Sequence, residues 1–120
     1  MKKLSFLFLT VFIMACGADP AQDVVGTYNG QFSWVGVGNG EMQVSLTALS
    51  DNMLRLNMAA AGVPPIMVNG VGVNEQTQGN YGLTFSNQIY TLAGAIDETN
   101  HMTFQYTGDT ISMTFAGVRQ

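Results

Sequence analysis

The sequence predicts an all-β protein, a single eight-stranded antiparallel up-and-down β-barrel. Three observations predict it. From Val24 onward, apolar residues recur at every second position and not at helical spacing, the period of a strand with one buried face. Short breaks rich in Gly, Asn and Asp interrupt the alternation at intervals of roughly 8–12 residues, the punctuation of an all-β chain. Eight alternating segments fit within the 120 residues, and the breaks are short enough to join sequential neighbours. The pattern admits a sandwich as well as a barrel. Closure removes exposed edges, which favours the barrel.

The first strand runs from Val24 to Val35. Val24, Gly26, Tyr28, Gly30, Phe32 and Trp34 share one face, and Val25, Thr27, Asn29, Gln31 and Ser33 the other. Gly26 and Gly30 lie on the apolar face, where a strand curving around a barrel needs a bend or a close approach. Residues 36–40 are a turn. Glu41 to Leu49 turns Met42, Val44, Leu46 and Ala48 inward, and Ser50-Asp51-Asn52 is a tight turn into Met53–Ala59, with Leu54, Leu56 and Met58 inward. Pro64-Pro65 cannot donate to a ladder, so residues 60–65 read as a break. In Ile66–Val73, Ile66 and Val68 suit one face and Val71 and Val73 the other, and a bulge near Gly70 reconciles them. Residues 74–80 read as polar loop. Tyr81, Leu83 and Phe85 form a short strand face, and Gln88–Ile96 follows with Tyr90, Leu92, Gly94 and Ile96 inward. After the Asp97–Asn100 turn, His101–Thr107 places Met102, Phe104 and Tyr106 inside. Thr110–Ala116 closes the series with Ile111, Met113 and Phe115.

The first sixteen residues carry a different message. Lys2 and Lys3 precede an apolar run from Leu4 to Met14, and Ala15, Cys16 and Gly17 follow. This is the layout of an export signal, residues 1–15. At eleven residues, this run falls short of the ~20 that span a bilayer as a helix. Ile13-Met14-Ala15-Cys16 resembles the lipobox of bacterial lipoproteins, and that resemblance implies cleavage before Cys16, lipidation of its thiol and anchoring to the cell envelope. Gly17, where aspartate would favour retention in the inner membrane, implies the outer membrane. Two plainer readings of Cys16 remain: a chance cysteine in an ordinary signal, or a free thiol, which an oxidising compartment makes a liability. Residues 16–23, polar and containing Pro20, are expected to be the lipidated cysteine and a short tether, leaving 24–120 as the barrel domain.

Without residues 1–15 the chain keeps Arg55 and Arg119 against eight acids, a net charge of about −6. Nucleic acid and anionic lipid head groups both call for clustered Lys and Arg, so neither is an expected partner. Cys16 is the only cysteine, so no disulfide braces the domain. Charged residues make up 10% of the chain, which leaves Ser, Thr, Asn and Gln to cover the outer faces.

Val25-Gly26-Thr27-Tyr28-Asn29-Gly30, Leu92-Ala93-Gly94-Ala95-Ile96 and Met113-Thr114-Phe115-Ala116-Gly117 together resemble the calycin-like, distantly lipocalin-like, β-barrels of small bacterial lipoproteins. The resemblance spans Val24–Arg119 and implies the barrel fold.

Few residues suggest chemistry. His101, the sole histidine, stands beside Asp97 and Glu98 but lacks the partners of a triad or a metal site. Gly36-x-Gly38-x-Gly40 precedes no helix that would cradle a phosphate. No enzyme activity, metal or cofactor is expected. Two functions remain. The barrel binds a small hydrophobic ligand at Tyr28, Phe32, Trp34 and Tyr90, or it is a filled scaffold that meets proteins through loops 36–40, 60–65 and 74–80. An eight-stranded interior is just wide enough for either outcome.

Overall fold

The computed structural model describes residues 19–120. It is a closed barrel of eight antiparallel strands in sequence order: β1 (Gly26–Trp34), β2 (Gly38–Ser50), β3 (Met53–Ala60), β4 (Val63–Thr77), β5 (Asn80–Ser86), β6 (Thr91–Ile96), β7 (His101–Thr107) and β8 (Ser112–Arg119). β8 closes on β1, pairing Phe32 with Phe115 and Gly30 with Gly117. The all-β, up-and-down barrel is the fold the alternation predicts. The expected export signal, residues 1–15, and Cys16 lie outside the described residues.

The inward sets follow the sequence pattern closely. Met42, Val44 and Leu46 on β2, Leu54, Leu56 and Met58 on β3, Met102, Phe104 and Tyr106 on β7 and Met113 and Phe115 on β8 are all buried. The residues between them, such as Gln43, Thr47, Thr103, Gln105 and Thr114, are exposed. The bulge expected near Gly70 is present. Leu54 faces Val71 while Arg55 faces Asn69, so Gly70 is the extra residue, and its φ of +92° is one that only glycine adopts without strain. The bulge resets the pleat and brings both Val68 and Val71 inside.

Besides residues 38–40, expected as turn but found to open β2 and pair with residues 34–32 so that the turn is 35–37, three expectations are corrected. The first concerns residues 20–23, read as tether: Pro20–Val24 form a short helix, α1, which packs Ala21 and Val24 against one end of the barrel. Asp19 caps it, its carboxylate accepting the Gln22 N–H at 3.4 Å, and Pro20 supplies the preset φ of a first helical residue. β1 accordingly starts at Gly26 and not at Val24. The second concerns β4, which is fifteen residues long and absorbs parts of both expected loops. Pro64 and Pro65 lie in it opposite a register shift between Met58 and Ala60, where no regular ladder bond is lost. Asn74–Thr77 are polar because they run past the core and are exposed. The third is that β6 begins at Thr91, because residues 87–90 form a loop tied by Asn87, whose side-chain oxygen accepts from the Ile89 and Tyr90 N–H groups.

The barrel therefore has two unlike ends. At the plugged end lie α1, the turns after β2, β4 and β6, and the C-terminus. At the distal end lie residues 35–37, 61–62, 87–90 and 108–111.

Candidate functional site

The interior is the first place a ligand would go, and side chains occupy it. All eight strands contribute buried apolar residues, and among the described residues no polar or charged residue is buried. Phe32, Phe115 and Phe104 stand side by side on β1, β8 and β7, and the Phe104 and Phe115 rings stack with centroids 5.2 Å apart. Such a stack fills the middle of a barrel of this strand number. Furrows of about 430 and 400 Å³ lie in the wall, lined by residues including Glu41, Gln43 and Ala59 in one case and Gln31, Asn39 and Thr114 in the other.

The four residues expected to line a mouth do not share one. Tyr28 is fully buried at the plugged end, where its hydroxyl donates to the Val24 carbonyl at 2.8 Å. Phe32 sits in the packed middle. Trp34 and Tyr90 are the two at the distal end, both half-buried. Tyr90 stacks on Tyr106 at 5.4 Å and lies over Gly108, which ties the loop before β6 to the turn before β8. The Trp34 indole N–H is buried, and among the described residues it has no hydrogen-bond partner. Period-two spacing told which face Tyr28 occupies but not its depth along the barrel.

The plugged end is a polar latch. Arg119 donates through one guanidinium nitrogen to the carbonyls of Asp23 (2.9 Å) and Val25 (3.1 Å) and through the other to the Asn100 side chain (2.7 Å), with its guanidinium 5.9 Å from the Tyr28 ring centroid. The Tyr81 hydroxyl donates to the Asp23 carboxylate at 2.9 Å, and the Ala21 N–H donates to the Asp51 carbonyl. Burial first, and then the hydrogen bond to and charge of Asp23, push the Tyr81 phenol up to about 12. Burial raises the Tyr28 phenol too, against the opposing pull of Arg119. Sequence reasoning missed this latch. The one signal for it was Asp19-Pro20, a helix start that reads equally well as tether.

His101 belongs to a turn. Asp97 accepts from the Thr99 hydroxyl (2.7 Å), the Thr99 N–H and the His101 N–H, and the Thr99 hydroxyl lies 2.8 Å from the His101 Nδ1. The Thr99 hydroxyl bond leads in holding the Asp97 carboxyl below its usual range. Every member is exposed, and the arrangement shapes the β6–β7 connection. Among the described residues no three His, Cys, Asp or Glu groups are placed to hold a metal ion.

The outer wall decides what surrounds the barrel. Asn29, Gln31, Ser33, Gln43, Thr47, Thr84, Thr103, Gln105, Ser112 and Thr114 all face outward and are exposed. A barrel that spans a bilayer has the opposite arrangement, with an apolar outer band over strands of ~9–11 residues and a polar lumen. β5, β6 and β7 are only six or seven residues long. This wall is built to face water.

No family model matches the chain, and no curated protein does. A solved structure is similar in fold: a crystal structure from Bacteroides fragilis described as a "putative outer membrane protein" superposes with a TM-score of 0.63 at 18% identity over 86% of this chain. The match covers 53% of that protein, so the chain spans about half its length.

Proposed function

We propose that the chain is a lipid-anchored protein of the bacterial cell envelope whose filled barrel is a scaffold for protein contacts. The observation that carries the scaffold reading is the packed apolar interior, centred on Phe32, Phe104 and Phe115, which occupies the space a carrier would leave for its ligand. Recognition is thereby assigned to the wall and the distal loops, with no catalytic step and no cofactor. The envelope reading rests on the lipobox-like Ile13–Cys16, the calycin-like strand motifs and the fold shared with the Bacteroides fragilis protein. Acyl chains on Cys16 anchor because each buried methylene contributes ~0.8 kcal/mol, and two or more chains hold where one exchanges.

The anchor also orients the barrel. Cys16 lies three residues before Asp19, so the plugged end sits against the bilayer and the distal end points away. Asp19, Asp23, Asp51, Glu75, Asp97 and Glu98 gather at the plugged end, whereas Asp109 is the carboxylate of the distal turns. The test is fractionation of cells producing the native chain or Cys16→Ala. The native chain partitions with the envelope membranes, and its intact mass shows an acylated cysteine at the new N-terminus. Cys16→Ala is not acylated and leaves the membrane fraction. A native chain that is exported but unacylated contradicts the anchor.

A further inference from the structure

The barrel wall is not equally tall all round. β4 pairs with β3 from Val63 to Gly72 but with β5 only from Gly72 to Thr77. β5 stops at Ser86, and the loop after it bonds to itself, the Asn87 N–H donating to the Tyr90 carbonyl at 2.9 Å. Among the described residues, no backbone hydrogen bond reaches the β5 side of Val63–Gly70. A strand with one neighbour leaves alternate N–H and C=O groups unpaired along its free edge.

That edge has limits and a character. Pro64 and Pro65 offer no N–H, and the Gly70 bulge turns the strand, so the regular free edge is Ile66–Asn69. Its inner face is apolar, with Val68 buried and Ile66 half-buried, and Met67 is 57% exposed on the outer face. Half-buried Phe85 and 54%-exposed Ile89 lie at the end of β5 and in the loop after it. Phe85 also lines, with Met53, Gly70 and Gly72, a furrow of about 460 Å³. Arg55 is engaged with Asn69, its Nε donating at 2.7 Å. β2 likewise overruns β3 at Gly38–Met42, but that stretch carries exposed Glu41 and two glycines, which discourage pairing.

We propose that Ile66–Asn69 receives an extended peptide segment of a partner protein, added as a strand above β5, with an apolar side chain at every second position turned towards Ile66, Val68 and Phe85. A row of unpaired backbone groups calls for another extended backbone, and an apolar inner face calls for alternating apolar residues. A lipid surface satisfies neither demand. A second copy of this chain satisfies both, but pairing two identical edges antiparallel turns one barrel through a half-rotation about an axis through the wall. The two plugged ends then point in opposite directions, which anchoring to one membrane through Cys16 forbids. That exclusion rests on the anchored reading given above; the edge itself does not.

The experiment uses residues 17–120, which include every packed residue described, and a phage-displayed library of random heptapeptides as the probe. Selected peptides are expected to alternate apolar and polar residues without internal proline. N-methylation of the central amides of the strongest synthetic peptide is expected to weaken binding at least about tenfold, a change that leaves the barrel untouched. Amide hydrogen exchange is expected to slow at alternate positions within 66–69. No enrichment, equal binding of the N-methylated peptide, or protection elsewhere overturns the proposal. Concentration-dependent dimerisation with protection at these same amides also overturns it, in favour of a second copy. Unacylated Cys16 in cells would end the anchored reading without changing any of the peptide results.

Discussion

At the residue scale, Arg119 and two glycines carry most of the specific geometry. Arg119 joins α1, the β6–β7 turn and the C-terminal strand through one planar fork. Arg119→Ala is expected to lower the unfolding free energy by about 2 kcal/mol, the worth of charge-assisted bonds to the Asp23 and Val25 carbonyls. Arg119→Lys does not restore it, because an ammonium cannot serve three acceptors in that plane. Urea denaturation of the three proteins measures both effects. Gly30 and Gly70 fail differently when substituted. A Cβ at Gly30 overlaps the Ala116 carbonyl across the closing seam, whereas a Cβ at Gly70 meets nothing within 4 Å and only the left-handed φ opposes it. Gly70→Ala therefore costs about 1–2 kcal/mol of backbone strain, and Gly30→Ala costs more, because β1 and β8 must separate. Tyr81 gives the fold an alkaline limit. Its folded pKa is about 12 against the ordinary phenol value of 10.0, so between pH 10 and 12 the unfolded chain releases a proton that the native state keeps. Stability therefore falls as pH rises through that window. Tyr81→Phe is expected to flatten part of the fall, and Tyr28 and Tyr106, whose phenols burial also raises, retain the rest.

At the element scale, α1 makes the clearest demand. It has five residues, too few to be stable alone, and it holds through Ala21, Val24 and the latch around Asp23. Val24→Asp places a carboxylate where the native side chain is 1% exposed and is expected to cost about 3 kcal/mol in thermal or chemical unfolding. An unchanged midpoint would mean that α1 is not docked. The strands show what a sequence can and cannot reveal. Alternation marked every buried position on β2, β3 and β7, and on β8 all but Gly117, which lies past the expected end of that strand, because one face of each strand packs inside and the other meets water. The Gly70 bulge was legible from the phase change between Val68 and Val71. α1 was not legible, since so short a helix has no periodicity and only its capping pair marks it. The extent of β4 was hidden for a related reason. Asn74–Thr77 extend beyond the core and so carry no buried face, and Pro64-Pro65 sit where pairing is irregular. The candidate mouth was least legible. Spacing fixes the face of Tyr28, Phe32 and Trp34, but the depth of each depends on where the strand ends, and α1 caps the end that holds Tyr28.

At the scale of the whole molecule, the barrel is apolar inside and polar outside, which makes it a water-facing body and not a membrane-spanning one. Under the proposed scaffold role, its filled core and short turns would leave recognition to the distal end and to the free stretch of β4. An export signal and an acylated cysteine at the opposite end would present those surfaces away from the bilayer. The most direct test of the filled barrel is native mass spectrometry of the protein purified from the cells that make it, followed by denaturation of the same sample. A filled barrel gives one mass in both spectra, that of the polypeptide with any covalent group it carries. A discrete additional mass in the native spectrum that disappears on denaturation would contradict it, because a small molecule would then occupy space here assigned to Phe32, Phe104 and Phe115.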